Sequence, residues 1–509
     1  MKTRMLILVL VITLFCAINI YAQTEWEIGW IQTINIVPDP YEFGSGICKK
    51  VVFNSETDAV YSCGMIETLL NNWETNFCVV KTDAINGSLM WLTEVEFGQT
   101  AWGTEANELV YDSSNNIIAT GTCMVDYNSN LWDVLVVKLD EETGEILWEK
   151  VICWGAIPVL DMGTGIAVDE NDDIAISAMI SNPDHGDWGI YKLDGDTGDI
   201  LWEKHGADDV YVAISGEVLV DVDNDVYGAG ETVLDINGSL LCFNTVIKYD
   251  GDTGEELWQS LEQGNIEESS QNTCYEIVEG NSAVYSCGIQ HYDDTGRDFV
   301  VKKIDKDDGE TLWTCRVNGL IDSTDKAVSI TIDENDDVYA GGFVSNNMQN
   351  NGAYQKTYTV VKFDGITGDQ LWQYLYPATN NNEDSYSYDL VYDPEGYVIA
   401  TGWKMCINPL EFENILTVKL DANNGDAIWE SLIDNVFNDP NLIGTDWGHS
   451  VDIDPSNGDV FIGGLSCNLT ENLSSYVVLK ITDNPTGISD NEMIDALVTS
   501  SLHQNFPNP

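Results

Sequence analysis

The sequence predicts an all-β fold, an eight-bladed β-propeller of four-stranded antiparallel blades that closes by pairing its N-terminal and C-terminal strands. Three observations predict it: a repeated turn-plus-Trp unit, short apolar runs between turn residues, and an orphan Trp strand at Ile28–Gln32. The length of 509 residues alone would suggest about three domains. Internal repeats override that expectation, because each repeat is a single supersecondary unit.

The repeated unit is clearest at Leu139–Trp148 (LDEETGEILW), and looser copies end at Trp91, Trp313 and Trp429. In all seven copies Gly stands four residues after an Asp, and Trp stands eight residues after it. The Asp carboxylate can accept backbone N–H groups of the turn, and Gly supplies the positive φ that closes it. Trp offers a large apolar face that is expected to pack against the next repeat. The structural residues predicted in this way are Gly87, Gly144, Gly198, Gly254, Gly309, Gly368 and Gly425, followed by Trp91, Trp148, Trp202, Trp258, Trp313, Trp372 and Trp429.

The block from Gly163 to Gly206 shows the strands within one repeat. Four short apolar runs are separated by Glu170–Asp172, by the longer polar segment Ser181–Asp187 and by the tight turn Asp194–Gly198. Such runs, bounded by Asp, Asn and Gly, are typical of strands joined by hairpins. No segment in the body of the chain keeps a helical period. Each repeat is therefore predicted to be a four-stranded antiparallel meander.

The count of blades depends on the two ends of the chain. Seven Trp strands recur 54 to 59 residues apart, and three strands follow Trp429 without a final Trp strand. Trp30 lies in the orphan strand near the N-terminus, which can complete that last blade. A ring that pairs its own termini removes exposed sheet edges. Seven blades is the alternative if Trp30 lies outside the ring.

The charge is strongly acidic, with 85 Asp and Glu against 21 Lys and Arg, a net charge of −64. Nucleic acids and anionic membranes need clustered cations, so neither is expected as a partner. The acidic surface can attract cations or keep the protein soluble. The apolar content is ample for a large core.

The first 22 residues are predicted to be a secretory signal peptide. Lys2 and Arg4 precede the apolar run Met5–Ile18, and cleavage is expected after Ala22. This run is too short for a transmembrane helix and no other long apolar stretch follows, so the protein is not expected to span a membrane. The predicted division is signal peptide 1–22, propeller 23–483 and C-terminal segment 484–509. The localisation expected from this is secreted or cell-surface, in a Gram-negative bacterium.

Removal of the signal peptide leaves eleven of the twelve cysteines. An exported protein permits disulfides, although sequence alone does not give their pairing. Cys274 with Cys287, and Cys63 with Cys78, are candidate pairs because each pair falls on neighbouring predicted strands. The alternative is that most cysteines are small buried apolar residues.

The Asp-x-x-Thr-Gly-x-x-x-Trp pattern resembles the repeats of PQQ-type β-propellers, a group that includes quinoprotein dehydrogenases and an outer-membrane assembly lipoprotein. The resemblance covers residues 24–483. It implies the propeller fold, whereas many proteins with these repeats bind no quinone. The dehydrogenases generally carry a vicinal Cys pair, a Ca²⁺ site and a catalytic Asp, and this chain has no adjacent cysteines. A PQQ cofactor is therefore not expected.

The C-terminal end carries a second resemblance. Residues 501–509 (SLHQNFPNP) are similar to the opening of the C-terminal sorting domain of type IX secretion cargo. Residues 484–509 are therefore interpreted as a linker and the truncated start of such a domain, and the alternative is a chance Pro-rich tail.

No pattern in the sequence assigns catalytic, cofactor-binding or metal-binding residues. The five His residues show no ligand spacing, and no nucleophile elbow or phosphate-binding loop occurs. The acidic turns at 169–173, 221–225 and 333–337 allow a calcium hypothesis, since carboxylates suit Ca²⁺. None of them shows a complete EF-hand loop, and turn formation explains the same residues.

Ligand binding is predicted on one face of the ring. The connections from second to third strand and from fourth to first strand share that face, here called the long-loop face, and several are long, among them Met65–Asn76, Val344–Lys356 and Lys404–Asn414. Loops on a rigid scaffold commonly carry function. Trp102, Trp154 and Trp447 fall on this face and could stack on a sugar or a peptide side chain, or simply cap the blades.

The function expected is that of a monomeric, non-catalytic binding or scaffold module for a glycan or a protein. One alternative is an enzyme, either a PQQ-dependent oxidoreductase or a glycan-degrading propeller. The other alternative is a structural spacer that shows neither ligand nor turnover.

Overall fold

The computed structural model describes residues 25–34, 46–68, 74–95, 104–126, 131–153, 161–181, 186–205, 210–236, 238–264, 272–349, 352–378, 382–408, 411–433, 444–468 and 473–484. These residues form 32 strands and their turns. Within them no helix is long and apolar enough to cross a membrane. The predicted signal peptide and almost all of the predicted sorting segment lie outside the described residues.

The strands fall into eight groups of four, numbered here as blades 1 to 8, which are consecutive in the chain except that the N-terminal strand belongs to the last group. Blades 1 to 4 contain β2 (Gly46–Asn54), β3 (Ala59–Thr68), β4 (Glu74–Asp83), β5 (Leu89–Val95); β6 (Glu105–Tyr111), β7 (Ile117–Asp126), β8 (Leu131–Leu139), β9 (Ile146–Ile152); β10 (Met162–Val168), β11 (Ile174–Ser181), β12 (Gly186–Leu193), β13 (Ile200–His205); and β14 (Val210–Val220), β15 (Val226–Ile236), β16 (Ser239–Tyr249), β17 (Glu256–Gln263). Blades 5 to 7 contain β18 (Thr273–Glu279), β19 (Ala283–Tyr292), β20 (Gly296–Asp305), β21 (Thr311–Val317); β22 (Lys326–Ile332), β23 (Val338–Met348), β24 (Tyr354–Phe363), β25 (Gln370–Leu375); and β26 (Ser385–Asp393), β27 (Tyr397–Asn408), β28 (Glu411–Asp421), β29 (Ala427–Ile433). Blade 8 contains β30 (Gly444–Asp454), β31 (Asp459–Asn468), β32 (Leu473–Asn484) and β1 (Glu25–Ile34).

Each blade is an antiparallel meander, and neighbouring strands are consecutive in the chain except in blade 8, where β1 pairs with β32. A single parallel bridge between Glu413 and Thr445 joins β28 to β30, so blades 7 and 8 share one continuous sheet. The predicted four-stranded meander is confirmed. Many of the segments predicted as long loops are strand extensions instead, because β23 continues to Met348 and β27 to Asn408.

The ring closes through the N-terminal strand. β1 pairs antiparallel with β32, from Glu25 opposite Asn484 to Ile34 opposite Tyr476. Trp30 is buried on this strand, and its Nε1 donates to the carbonyl oxygen of Ala84 in blade 1 at 3.1 Å. The eight-bladed prediction is confirmed, and the seven-bladed alternative is wrong because Trp30 lies in the ring.

The innermost strands are linked by side chains that cross from one blade to the next. A first strand has one edge without a strand partner, so its N–H groups there need other acceptors. The preceding blade supplies them: Ile330 N donates to Glu276 Oε2 at 2.8 Å, and Val451 N to Asp389 Oδ2 at 2.9 Å. Ser450 of blade 8 accepts from Val51 N of blade 1 at 3.3 Å. The same kind of link therefore spans the closing interface.

The outer part of each interface is built by the predicted Trp and Gly residues. Trp91 Nε1 donates to the carbonyl oxygen of Glu141 in the turn of the next blade at 3.0 Å. Gly144, in that turn, has φ +70°, and a Cβ there would lie 2.7 Å from the Trp91 ring. The same steric arrangement recurs for Gly87 with Trp30, Gly198 with Trp148, Gly254 with Trp202, Gly309 with Trp258, Gly368 with Trp313 and Gly425 with Trp372. The predicted packing of Trp on the next repeat is confirmed.

A lysine on each third strand also contributes to these interfaces. Lys stands two residues before the turn Asp in all seven copies. Lys192 Nζ lies 2.7 Å from Asp169 Oδ2, with both side chains at least 96% buried. Lys138 Nζ pairs with Asp112 at 2.8 Å and donates to the Gly195 carbonyl oxygen of the next blade at 2.8 Å. Buried ammonium groups are tolerated here because each meets a carboxylate or a carbonyl oxygen.

Both candidate disulfide pairings are wrong. All eleven cysteines of the described residues are free thiols. Cys63 lies opposite Val79, and Cys78 lies opposite Gly64, so the two side chains are one register apart and face opposite sides of the sheet. Cys274 and Cys287 are offset by one residue in the same way. The alternative of small buried apolar residues holds for these four, which belong to four separate core clusters.

Candidate functional site

The three predicted ligand-binding tryptophans have different outcomes. Trp102 and Trp154 lie outside the described residues. Trp447 lies on β30, near the end of the strand that meets the long-loop face, and its side chain is half-buried. It lies among other aromatic residues, which makes this part of blades 6 to 8 the candidate site.

Six aromatic side chains form what we call the aromatic cluster: Phe343, Tyr386, Tyr388, Trp403, Trp447 and His449. Tyr386 connects them, with its ring centroid 4.8 Å from Phe343 and 4.7 Å from Tyr388. Trp403 stacks on Trp447 at 6.3 Å, and Tyr388 stacks on His449 at 5.2 Å. The cluster therefore runs without interruption across three blades.

β-bulges on the inner strands place two of these residues. The pairing of β26 with β27 shifts between Ser387 and Asp389, which leaves Tyr388 as the extra residue. The pairing of β30 with β31 shifts between Gly448 and Ser450, which leaves His449 in the same position. A bulge re-aims the side chain of its extra residue. Tyr388 and His449 consequently face each other across the blade interface.

The cluster has a buried floor and an accessible surface. Phe343, Tyr386 and Trp403 are at most 8% exposed. Tyr388, Trp447 and His449 are half-buried, and Tyr388 and Trp447 pack against Tyr386 and Trp403. Rigid aromatic rings supported from below lose little conformational entropy on binding, so this surface suits a flat apolar ligand face.

Two polar groups belong to the accessible part of the cluster, and one of them, Glu413, holds the Trp447 ring. Trp447 Nε1 donates to Glu413 Oε2 at 2.7 Å, and burial raises the pKa of Glu413 despite this bond. Burial, with the nearby charge of Lys49, lowers the pKa of His449 to about 4. The imidazole is therefore neutral at neutral pH. Among the described residues its buried Nε2 has no hydrogen-bond partner.

A layer of charged residues follows the cluster along the inner strands. Lys50 Nζ lies 3.3 Å from Glu108 Oε1. Burial lowers the pKa of Lys50, but Glu108, Asp389, Glu276 and Glu217 outweigh this effect and raise it well above its usual range. Charges from five blades thus converge near the axis of the ring. In the described part of the chain no three His, Cys, Asp or Glu side chains are arranged to hold a metal ion.

The acidic turns proposed for calcium use their carboxylates inside the fold. Asp169 Oδ1 accepts from Asn171 N at 2.8 Å and from Asp173 N at 2.9 Å, and its Oδ2 is bound by Lys192. The non-Gly residues Asp172, Asn224 and Asp336 close these turns with φ between +63° and +68°. A calcium ion would have to compete with a lysine for the same oxygen atoms, and the hypothesis stays a prediction.

Sequence reasoning missed most of the cluster. The alternation of Tyr with Ser at Ser385–Tyr388 indicates an inner strand with aromatic residues on one face, and this signal in the sequence could have identified Tyr386 and Tyr388. Trp403 carried no comparable pattern, since it lies 44 residues from Trp447 in the sequence. The packing of blade 7 against blade 8 brings β27, which carries Trp403, into contact with β30, which carries Trp447.

The sequence matches the model of a known family. A family model described as outer membrane protein assembly factor BamB matches residues 133–288 and 243–438. The two overlapping matches together span residues 133–438, which is more than half of the 509 residues. None of the curated proteins matches the chain in sequence.

Several solved structures are similar over most of the chain. BamB from Moraxella catarrhalis is 12% identical, with 90% of this chain and 100% of that chain covered and a TM-score of 0.44. Quinohemoprotein alcohol dehydrogenase from Comamonas testosteroni is 10% identical, with coverages of 90% and 76% and a TM-score of 0.47. The polysaccharide lyase Uly1 is 9% identical, with coverages of 92% and 94% and a TM-score of 0.45.

Proposed function

The chain belongs to the PQQ-type β-propeller family described as outer membrane protein assembly factor BamB, and on that premise we propose that it is a non-catalytic binding module. It acts outside the cell or at the cell surface and holds a glycan or a protein on its long-loop face. The aromatic cluster is the observation that carries this proposal, because it joins half-buried rings to a buried floor on the predicted face.

A binding role suits the rigidity of the cluster. Tyr386 packs against Phe343 and Tyr388, and Trp447 is held by Glu413, so the surface is formed before a ligand arrives. Preformed surfaces bind without the cost of ordering side chains. Export follows from the signal peptide predicted at residues 1–22, and it would place this surface where extracellular glycans and proteins are met.

The test is a binding screen of the purified mature protein. Immobilised glycans and candidate surface proteins are tested with the unchanged protein, with Trp447→Ala and with Tyr388→Ala. Tyr111→Ala is the matched control, because Tyr111 is 40% exposed at the turn end of β6, away from the cluster. Melting temperatures of all variants establish that they fold.

We expect Trp447→Ala and Tyr388→Ala to weaken binding up to about tenfold, since each removes up to about 1.5 kcal/mol of stacking. Tyr111→Ala should bind like the unchanged protein. Binding that survives both cluster variants would place the ligand elsewhere and contradict the proposal. Release of products from a bound glycan would show an enzyme, and no binding to any probe would favour the spacer role.

A further inference from the structure

Two lysines beside the aromatic cluster have no counter-charge. Lys326 begins β22 and Lys356 lies near the start of β24, both at the long-loop end of blade 6. Within the described chain neither ammonium group has a carboxylate within ion-pair distance. Lys326 and Lys356 are called here the lysine pair.

Most Lys and Arg side chains of the described residues pair with a carboxylate, and Lys326 and Lys356 are among the few that do not. The chain has 85 acidic residues for 21 basic ones, and the lysines that stand two residues before each turn Asp are paired or hydrogen-bonded. The lysine pair instead rests on aromatic rings, with Lys326 Nζ 3.8 Å from the Tyr275 centroid and Lys356 Nζ 5.1 Å from that of Phe343. Lys356 Nζ is also 5.9 Å from the Tyr386 centroid, so the pair is continuous with the aromatic cluster.

The two ammonium groups are close enough to repel each other. Burial above all, together with the like charge of Lys356, lowers the pKa of Lys326 to about 8. Two adjacent cations that are partly desolvated and lack a carboxylate are stabilised by an anion placed between them. The site therefore lacks the negative charge that would balance the two ammonium groups.

We propose that the lysine pair and the aromatic cluster together bind an acidic glycan, a polysaccharide with uronic acid residues. A uronate ring has an apolar C–H face that can stack on Tyr388 or Trp447 and a carboxylate that can reach the lysine pair. An acidic peptide offers the carboxylate without a flat ring, so the width of the aromatic surface favours the glycan. This inference rests on the proposed function and names its ligand class.

The net negative charge of the protein restricts binding of an acidic glycan to a cationic site such as the lysine pair. At a net charge of −64 most of the surface repels a polyanion. At about 0.15 M salt the Debye length is about 8 Å, so distant repulsion is screened whereas direct contacts persist. Binding of a polyuronate under these conditions therefore requires a local cationic site.

The experiment compares polyuronates (polygalacturonate, polyglucuronate and alginate) with a neutral polymer, dextran, and with poly-glutamate. Calorimetry at about 0.15 M salt uses the unchanged protein and the double variant Lys326→Met/Lys356→Met. Lys150→Met is the matched control, because Lys150 lies on the outer strand β9 and pairs with the exposed Asp199. If the double variant has a clearly lower melting temperature than the unchanged protein, the single variants Lys326→Met and Lys356→Met replace it in the binding experiment.

We expect at least one polyuronate to bind, with a loss of at least about tenfold in the double variant and no change in Lys150→Met. At pH 8 binding should also take up protons, because a carboxylate near Lys326 raises its pKa. Tighter binding of poly-glutamate would assign the site to acidic peptides and overturn the inference. Tighter binding of dextran, or polyuronate binding that is equally strong in the double variant, would overturn the inference but would still agree with a binding module. Failure of every polyuronate to bind would also overturn the inference.

Discussion

Gly144 and the indole ring of Trp91 occupy one shared space between blades 1 and 2, and a Cβ on Gly144 would lie 2.7 Å from the ring. Gly144 also has φ +70°. The glycine of the repeat is thus required twice, by its own backbone and by the tryptophan of the preceding blade. This explains why Gly and Trp keep a fixed offset although they contact across blades and not within one.

Gly144→Ala separates these two requirements when it is compared with Gly396→Ala. Gly396 has φ +91°, and a Cβ there would meet no atom within 4 Å. We expect Gly396→Ala to lower the free energy of unfolding by about 1–2 kcal/mol, from backbone strain alone. Gly144→Ala should cost roughly 2–5 kcal/mol, because overpacking adds to that strain. Urea titration measures both, and equal losses would show that the Trp91 contact is unimportant.

The buried pair of Lys192 and Asp169 gives a prediction about charge. Lys192→Met leaves the Asp169 carboxylate buried without its cation, so we expect a loss of about 3–5 kcal/mol. The double variant Lys192→Met/Asp169→Asn should lose less than the single variant, because no uncompensated charge remains. Lys150→Met, which breaks a pair with the 81% exposed Asp199, should cost at most about 1 kcal/mol.

Unfolding by urea of the unchanged protein, Lys192→Met, Asp169→Asn, the double variant and Lys150→Met tests this prediction. A double variant as unstable as the sum of its single variants would contradict a direct interaction between Lys192 and Asp169. The same proteins test the calcium hypothesis. If the Lys192 ammonium group, and not Ca²⁺, neutralises the 169–173 turn, removal of Ca²⁺ by a chelator should not change the melting temperature of the unchanged protein.

The sequence was most informative where one residue type recurs at one spacing. Trp, Gly and Asp of the repeat predicted the strands, the turns and the eight blades, because each interface repeats the same contacts. The lysine of the third strand has an equally regular spacing, but charged residues are seldom buried, so the spacing alone did not predict its position. Its carboxylate partners lie in a different turn, so the pairing appears only in three dimensions.

The candidate site was less predictable, for a physical reason. Trp447 could be assigned to the long-loop face from strand order alone. Its contact with Trp403 depends on how closely β27 of blade 7 approaches β30 of blade 8, and the orientation of the Tyr388 side chain depends on a β-bulge. The cysteine pairs failed similarly, since a shift of one residue in register moves a side chain to the other face of the sheet.

Glu276 gives a prediction about pH. Burial, then the charge of Asp389, raise its pKa to about 7 from an ordinary 4.5, although Lys50 and a hydrogen bond from Ile330 N act in the other direction. A folded-state pKa above the unfolded value means that the folded protein holds this proton more tightly. The resulting stability is fully present below about pH 4.5 and is lost as the pH rises through about 7.

Glu276→Gln keeps the side chain uncharged at every pH and retains an acceptor for Ile330 N. We therefore expect the variant to melt higher than the unchanged protein at pH 8, with a smaller difference at pH 5. Glu149→Gln on the exposed face of β9 is the control and should give no such pH dependence. An equal shift at both pH values would mean that Glu276 is ionised throughout this range.

Closure of the ring predicts a difference between two tryptophans of β1. Trp30 is 4% exposed and bonds to blade 1, whereas Trp26 is half-buried and donates to the Glu430 carbonyl oxygen of blade 7. Trp30→Ala leaves a cavity at the interface of blades 8 and 1, so we expect a loss of about 3–5 kcal/mol. Trp26→Ala should lose clearly less stability, because its ring is already partly in water.

Deletion of residues 25–34 should lower the melting temperature more than either substitution, since it exposes the whole edge of β32. An unchanged melting temperature after that deletion would contradict closure of the ring by β1.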